Sequence, residues 1–179
     1  MNADDLEKLG IEKRMVALNN RVDFEIVHNI CQRLVIMNAI DSTAEITLFI
    51  NSSGGKVEAG WELYDTIRGI RAPVRGIVVG IAESMALDIL QACDIREACP
   101  HATMLMHPIN FDASLPRMDS KKFRREKEEI TSRLVEAYIE RAKVGEKKVR
   151  KLMAKESKLT AIQALKLGFI DRITEPGSI

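Results

Sequence analysis

No apolar run in this chain approaches the roughly 18 residues that a membrane-crossing helix needs, so nothing in it reads as a transmembrane segment. Charge of one sign is also missing: 27 Lys and Arg stand against 26 Asp and Glu, a formal net charge of +1. So even a balance offers no basic excess to nucleic acid. The opening stretch, MNADDLEKLGIEKR, has neither a basic start nor an apolar core and is not a secretory signal. Cysteine is scarce. Cys31, Cys93 and Cys99 are an odd number, and Cys93 and Cys99 lie six apart with no second Cys/His pair of zinc type. They read as reduced, mostly buried thiols of a cytosolic protein. Neither an internal repeat nor a low-complexity linker is present. What remains is 179 residues, 46% apolar and 30% charged, the size and composition of one soluble domain with a real core.

The hydrophobic pattern alternates between two periods. RMVAL (14–18) reads as a short strand. From Phe24 a helical period carries Ile26, Val27, Ile30, Cys31, Leu34, Val35 and Met37, with Asp23 placed as its N-cap. EITLFIN (45–51) is β-branched and aromatic, a buried strand, and it ends in SSGG. VEAGWELYDTIRGI (57–70) reads as an amphipathic helix, PVRGIVVG (73–80) as a third strand, and REACPHATMLMH (96–107) as two short strands around Pro100. Strand–helix alternation favours an α/β fold with a largely parallel sheet and right-handed crossovers. In such folds functional groups collect where strands end and helices begin. Both SSGG and GIAESM fall at such junctions.

Beyond Asp119 the character changes. DSKKFRREKEEITSRLVEAYIERAK is a long charged helix with apolar residues at Phe123, Ile130, Leu134, Val135, Tyr138 and Ile139. Its first half has too few apolar positions to bury against its own domain. The stripe Ile130, Leu134, Tyr138, Ile139 would be wet on a lone domain, which points to a partner subunit. TAIQALKLGFIDRITEPGSI reads as a short helix, a stop at Gly168 and a closing strand.

The stretch VVGIAESMALDIL (78–90) sets the chemical question, because it places a hydroxyl at the mouth of an apolar helix. Ser84 alone reads equally as a helix N-cap. Acyl transfer needs a base, a group that orients the base, and backbone N–H donors for the oxyanion. Of three histidines, His28 lies within a helix and reads as a packed or half-exposed residue. His101 follows Pro100 in a loop and reads as structural. His107 closes a strand, where catalytic groups sit, and is the best base candidate. Gly54-Gly55 follows a strand and precedes a helix, as an oxyanion or phosphate loop would. A phosphate loop is disfavoured, because NSSGGKVEAG lacks the Lys-Ser/Thr ending and is not GxGxxG. Backbone N–H groups at Gly55 and at Met85, beside the start of the Ser84 helix, would make a two-donor hole.

Four segments carry a resemblance. LFINSSGGKVEAGWELYDTIRGIRAPV resembles the YINSPGGxVxAGxxIYDTM segment of the Clp protease proteolytic subunits. GIAESM resembles their nucleophile motif GxAASM, TMLMHPI their MIHQP histidine motif, and LTAIQALKLGFID their LSAxEAxxYGLID. The four occur in the family's order between Arg14 and Ile173. The wider group is the ClpP/crotonase superfamily. The resemblance implies a ClpP/crotonase-like α/β fold of stacked βαβ units with a protruding helical handle: a single domain over 1–179, its head formed by 1–109 and 151–179 and its handle by 110–150. It implies a cytoplasmic serine endopeptidase with Ser84 as nucleophile, His107 as base, Gly55 and Met85 as oxyanion donors, and no metal or organic cofactor. It further implies homo-oligomeric rings, heptamers stacked face to face with handles meeting across the rings, peptide or protein substrates, and an AAA+ unfoldase partner. Only 13 residues precede the first strand, without the family's Tyr- and Arg-bearing axial segment, which counts against that last coupling.

The departures are specific. The family's acid is an Asp shortly before LSA; counting back from Leu159 puts Glu156 there, one methylene longer, among Lys155 and Lys158, where it also reads as a plain surface charge. Ser53 replaces the Pro before the Gly pair, Ala86 replaces a Gly, and Glu83 and Asp88 flank the nucleophile with carboxylates that disfavour an oxyanion unless turned away or paired. The short CDIREACPHA loop is closer to phage-encoded, capsid-maturation relatives. Two other readings stay open: a non-catalytic ring subunit, and a crotonase-type acyl-CoA enzyme.

Overall fold

The computed structural model describes residues 3–109 and 120–175, with Gly177. A short helix α1 (Ala3–Glu12) leads into β1 (Met15–Leu18), α2 (Phe24–Ile40), β2 (Ile46–Ser52), α3 (Val57–Gly69), β3 (Val74–Glu83), α4 (Met85–Ala92), β4 (Ile95–Ala98) and β5 (Thr103–Met106). After residues 110–119, α5 (Ser120–Ile139) and α6 (Glu146–Ala154) precede β6 (Ser157–Thr160), α7 (Ala161–Leu167) and β7 (Arg172–Ile173). The order β1-β2-β3-β4-β7 is parallel throughout. A parallel neighbour needs a crossover, and the helices between strands supply it.

The expected elements form for the expected reasons. Asp23 caps α2 through its side chain, which accepts the Ile26 N–H at 3.0 Å. Val27, Ile30, Cys31, Leu34 and Met37 make the buried face of that helix. The C-terminal carbonyls of α2 are met by Arg14, whose guanidinium donates to the Met37, Asp41, Ala44 and Glu45 carbonyls. Alternation along β2 buries Ile46, Leu48, Ile50 and Ser52 on one side.

Three features differ from the sequence reading. First, β3 does not stop at Gly80. It pairs with β4 over Arg75–Val78, then changes partner and pairs with β5 over Ile81–Glu83. Second, SKLT is a strand, β6, paired antiparallel with β5 from Thr103↔Thr160 to Met106↔Ser157. Third, the stripe on the charged helix is not left wet. Leu134, Val135 and Tyr138 are buried within this one chain, Ile130 is half-buried, and only Ile139 is exposed. The second half of α5 lies across α4, and Tyr138 meets Phe169 edge-on at 5.0 Å. Arg141, just past the end of α5, donates to the Cys93 and Asp94 carbonyls and to Asp171. That fastens the helix end to the head. The first ten residues of the expected handle, 110–119, lie outside the described residues.

Two ion-pair groups tie the far end of the sheet. Arg75 and Arg172 both engage Glu97, itself 1% exposed, and Arg96 and Arg141 both engage Asp171. Burial pushes each carboxyl up, but the arginine hydrogen bonds and charges outweigh it and hold both below the ordinary carboxylate range. Cys31 and Cys93 are buried, Cys99 is half-buried, and all three are free thiols.

Candidate active site

Three parallel strands end side by side, and each end delivers one part of a site. β2 ends at Ser52 and runs into Gly54-Gly55. β3, its neighbour, ends at Glu83 and runs into Ser84. β5, paired with the second half of β3, ends at Met106 and runs into His107. The Ser84 N–H donates to the Leu105 carbonyl at 2.8 Å, which locks the serine turn to the histidine strand. Gly55, Ser84, Met85 and His107 line one cavity, together with Asp88 and Tyr138.

The serine turn is strained. Ser84 has φ 53° and ψ −131°, a conformation that non-glycine residues avoid, and its side chain makes no capping bond to α4. The N-cap reading is thereby excluded. A serine held on a sharp strand-to-helix turn with its hydroxyl unspent is the geometry of a nucleophile elbow. The Met85 N–H opens α4 and donates to no carbonyl in the preceding turn, as expected at a helix start.

The Gly54-Gly55 loop is held from outside. The Ser52 hydroxyl donates to the Asn20 carbonyl and accepts the Gly54 N–H at 3.1 Å. Val22 then bonds both flanks, donating its N–H to the Gly54 carbonyl and accepting the Lys56 N–H. The Gly54 N–H is thus used, and among the described residues the Gly55 N–H is given no acceptor. Both positions demand glycine. At Gly54, φ is 81° and a Cβ would stand 2.8 Å from Ser84 Cβ. At Gly55 a Cβ would run into the Val22 carbonyl.

His107 Nδ1 lies 2.6 Å from the Pro108 carbonyl oxygen. A carbonyl only accepts, so in the neutral ring Nδ1 carries the proton and Nε2 is the free base. Glu156 is not brought into the cavity. It follows α6 at φ 50°, one residue before Ser157, whose ladder partner is Met106, so its backbone adjoins that of His107. Its side chain is exposed and makes no hydrogen bond or ion pair among the described residues. Only three non-glycine residues with positive φ are described: Arg14, Ser84 and Glu156. Glu83 is half-buried and does not line the cavity.

Asp88 does line it, a residue noted in the sequence only as a flanking charge. It is 6% exposed and hydrogen-bonds the Tyr138 hydroxyl from α5. Burial pushes its carboxyl up to about 7, and the bond from Tyr138 offsets only part of that. Tyr138 was read as part of a helix stripe; the signal that pairs it with Asp88, a carboxylate inside an otherwise apolar helix, has no counterpart near Tyr138 in sequence.

By its fold and its site the molecule falls in one class, layered α/β proteins with a serine turn and a histidine at neighbouring strand ends. Within that class the chain belongs to the Clp protease family, whose model matches residues 2–177. It is 30% identical over 180 residues to the ATP-dependent Clp protease proteolytic subunit 2 of Nocardia farcinica, covering 96% of this chain and 85% of that protein. It is 31% identical over 175 residues to proteolytic subunit 1 of Streptomyces avermitilis, with 96% and 80% covered. Against the Deinococcus radiodurans proteolytic subunit the identity is 28% over 175 residues, with 96% and 85% covered. The fold is accordingly ClpP-like. No described helix is long and apolar enough to cross a membrane.

Proposed function

We propose that this protein is a ClpP-like serine endopeptidase. The observation that carries the reading is Ser84 itself: strained, uncapped, and sharing a cavity with His107. Ser84 Oγ attacks the scissile carbonyl carbon while His107 Nε2 takes its proton. The carbonyl π electrons move onto oxygen, where the Gly55 and Met85 N–H groups receive the negative charge. Collapse of that intermediate breaks the C–N bond, and His107 returns the proton to the leaving amine. Water, activated by the same imidazole, then hydrolyses the acyl-serine.

Glu156 is the family-position acid for His107. In the isolated chain its place at Nδ1 is held by the Pro108 carbonyl, so the carboxylate must swing inward on assembly. Glu156→Gln should lower turnover at least about a hundredfold, and Glu156→Asp should restore it, because neutralising a triad acid costs up to about 10⁴. Steady-state peptidase rates of the three proteins decide this. Equal rates for parent and Gln variant make Glu156 a surface charge.

Assembly is part of the proposal: closed rings, heptamers stacked face to face, with residues 110–150 as a handle between rings and 1–109 with 151–179 as the head. Exposed Val35, Ile36 and Ile40 on α2, at 52%, 46% and 69%, offer apolar surface for a neighbouring head. An AAA+ unfoldase is the partner we assign, supported by the words ATP-dependent in the relatives' names, and the setting we assign is the cytoplasm. The alternative of a non-catalytic ring subunit is favoured by the outward Glu156. One experiment tests the proposal: a fluorophosphonate probe should label Ser84, on a particle whose light-scattering mass is many times 20.1 kDa. An unlabelled ring is the non-catalytic subunit, and an unlabelled monomer ends the proposal.

A further inference from the structure

We propose that Asp88, held by Tyr138, is a specificity-determining residue that selects a basic side chain, lysine above all, on the residue carrying the scissile carbonyl. This rests on the peptidase reading of Ser84.

The geometry comes first. Asp88 lies one turn into α4 from Ser84, its N–H donating to the Ser84 carbonyl at 3.3 Å, and both residues line the same cavity. A carbonyl that reaches Ser84 with its oxygen at the start of α4 directs its own residue's side chain into that cavity. The cavity's walls include apolar Leu105, Ile109, Leu134 and Met153, and Asp88 and Tyr138 are its polar members besides Ser84 and His107. The cavity volume is about 80 Å³, room for a few heavy atoms and best suited to a narrow, unbranched stem.

The chemistry follows from what Asp88 lacks. α4 is buried along its whole length, and its other members are apolar except Gln91. Gln91 is fully engaged, donating to the Leu87 and Phe169 carbonyls and accepting from Arg96. Among the described residues, Asp88 has one side-chain partner, the Tyr138 hydroxyl, and no cation beside it. A buried carboxylate without a cation is costly. An entering ammonium supplies the missing charge, whereas an apolar side chain of the same length leaves it missing. Sites built to bond a polar group reject the analogue lacking it far more strongly than apolar slots reject an extra methylene. The groups facing Asp88 are Tyr138 from α5, Tyr64 from α3 and His107 beyond β5. Burial, with Asp88 nearby, holds both tyrosines above their ordinary range, so they remain neutral donors.

The test uses two peptides that end in lysyl- or norleucyl-aminomethylcoumarin and are otherwise identical. The leaving group has no side chain, so only the acyl residue is read. At pH 8 the full-length protein should show kcat/KM at least tenfold higher for lysine. The ratio should shrink toward one by pH 5.5, as Asp88, at about 7, takes up a proton. Dependence on the general base is common to both substrates and cancels in the ratio. Asp88→Asn should bring the ratio within about twofold of one, and Tyr138→Phe should reduce it. If either variant fails to fold, the pH dependence of the parent's ratio decides alone. Norleucine cleaved as well as lysine by the parent, or a preference that survives in Asp88→Asn, overturns the proposal. Ser84 labelled by a fluorophosphonate with no lysine preference overturns this inference and leaves the peptidase reading standing. Neither labelling nor turnover of either peptide overturns both.

Discussion

On the proposed function, Ser84→Ala should abolish peptide turnover, by about 10⁴-fold or more, and leave the assembled mass unchanged. The size of the loss follows from the role. Removing the nucleophile of a serine hydrolase eliminates the covalent route and leaves only the oxyanion donors and substrate binding. The second half of the expectation follows from position. Ser84 lies at the mouth of an internal cavity, and its backbone bond to Leu105 does not involve the hydroxyl. Alanine must still adopt φ 53°, at a strain cost of about 1–2 kcal/mol that the parent already bears. Hydrolysis of a fluorogenic peptide, read beside light scattering, separates the two halves. A variant as active as the parent means that Ser84 is not the nucleophile.

Gly54→Ala carries the next largest effect, at a residue that takes no chemical part. The added methyl would stand 2.5 Å from the Glu83 carbonyl oxygen, 2.8 Å from Ser84 Cβ and 3.0 Å from the Met85 nitrogen. All three are backbone or near-backbone atoms, so none can yield without moving Ser84 and the Met85 N–H together. Displacement near 1 Å at a reacting centre costs about a hundredfold, and positive φ adds strain to any side chain there. Turnover should fall at least about a hundredfold, with the circular dichroism spectrum retained. Gly69→Ala is the matched control, because nothing lies within 4 Å of its added methyl. It should stay within about twofold of the parent. Comparable rates for Gly54→Ala and Gly69→Ala would show that the loop does not position Ser84.

Much of this was legible in the chain, and the reason lies in strand ends. Ser84 and His107 stood out because each follows a β-branched or apolar run, and parallel strands put such ends on one edge. Gly55 stood out because a Gly pair after a strand announces close backbone approach. The cap at Asp23 and the burial of Val27, Ile30 and Leu34 needed only local rules. What local rules could not reach was set by pairing across the chain. β6 is four residues, largely polar, and exists because it closes against β5. β3 runs past Gly80 because β5 offers it a second ladder. The α5 stripe is dry because α4 and Phe169 cover it, and a helical period does not say what covers an apolar face. The partnership of Asp88 with Tyr138 spans fifty residues and had no local signature at all.

Asp88 also makes the folded chain a proton store. Its carboxyl, at about 7 in the fold, returns to about 4 when the chain unfolds. Between those values the native state holds a proton that the unfolded state has released, so stability falls as pH rises through that window. The penalty is absent below about 4, grows toward pH 7 and is complete above it, at roughly 4 kcal/mol for a shift of that size. Glu97 and Asp171 act in the opposite sense. Their carboxyls lie below the ordinary range, so the stability they contribute is present above it and is lost only as pH falls through their lowered values. The two trends leave the optimum in mild acid. Urea midpoints should therefore be higher at pH 5 than at pH 8 for the parent, and Asp88→Asn should remove most of that difference. Midpoints that rise from pH 5 to pH 8 would mean that Asp88 is ionised at no such cost. An isolated subunit thus tolerates acid best with its pocket empty, whereas a lysine ammonium in the pocket would offset the buried charge, so that substrate protects the fold most above neutrality.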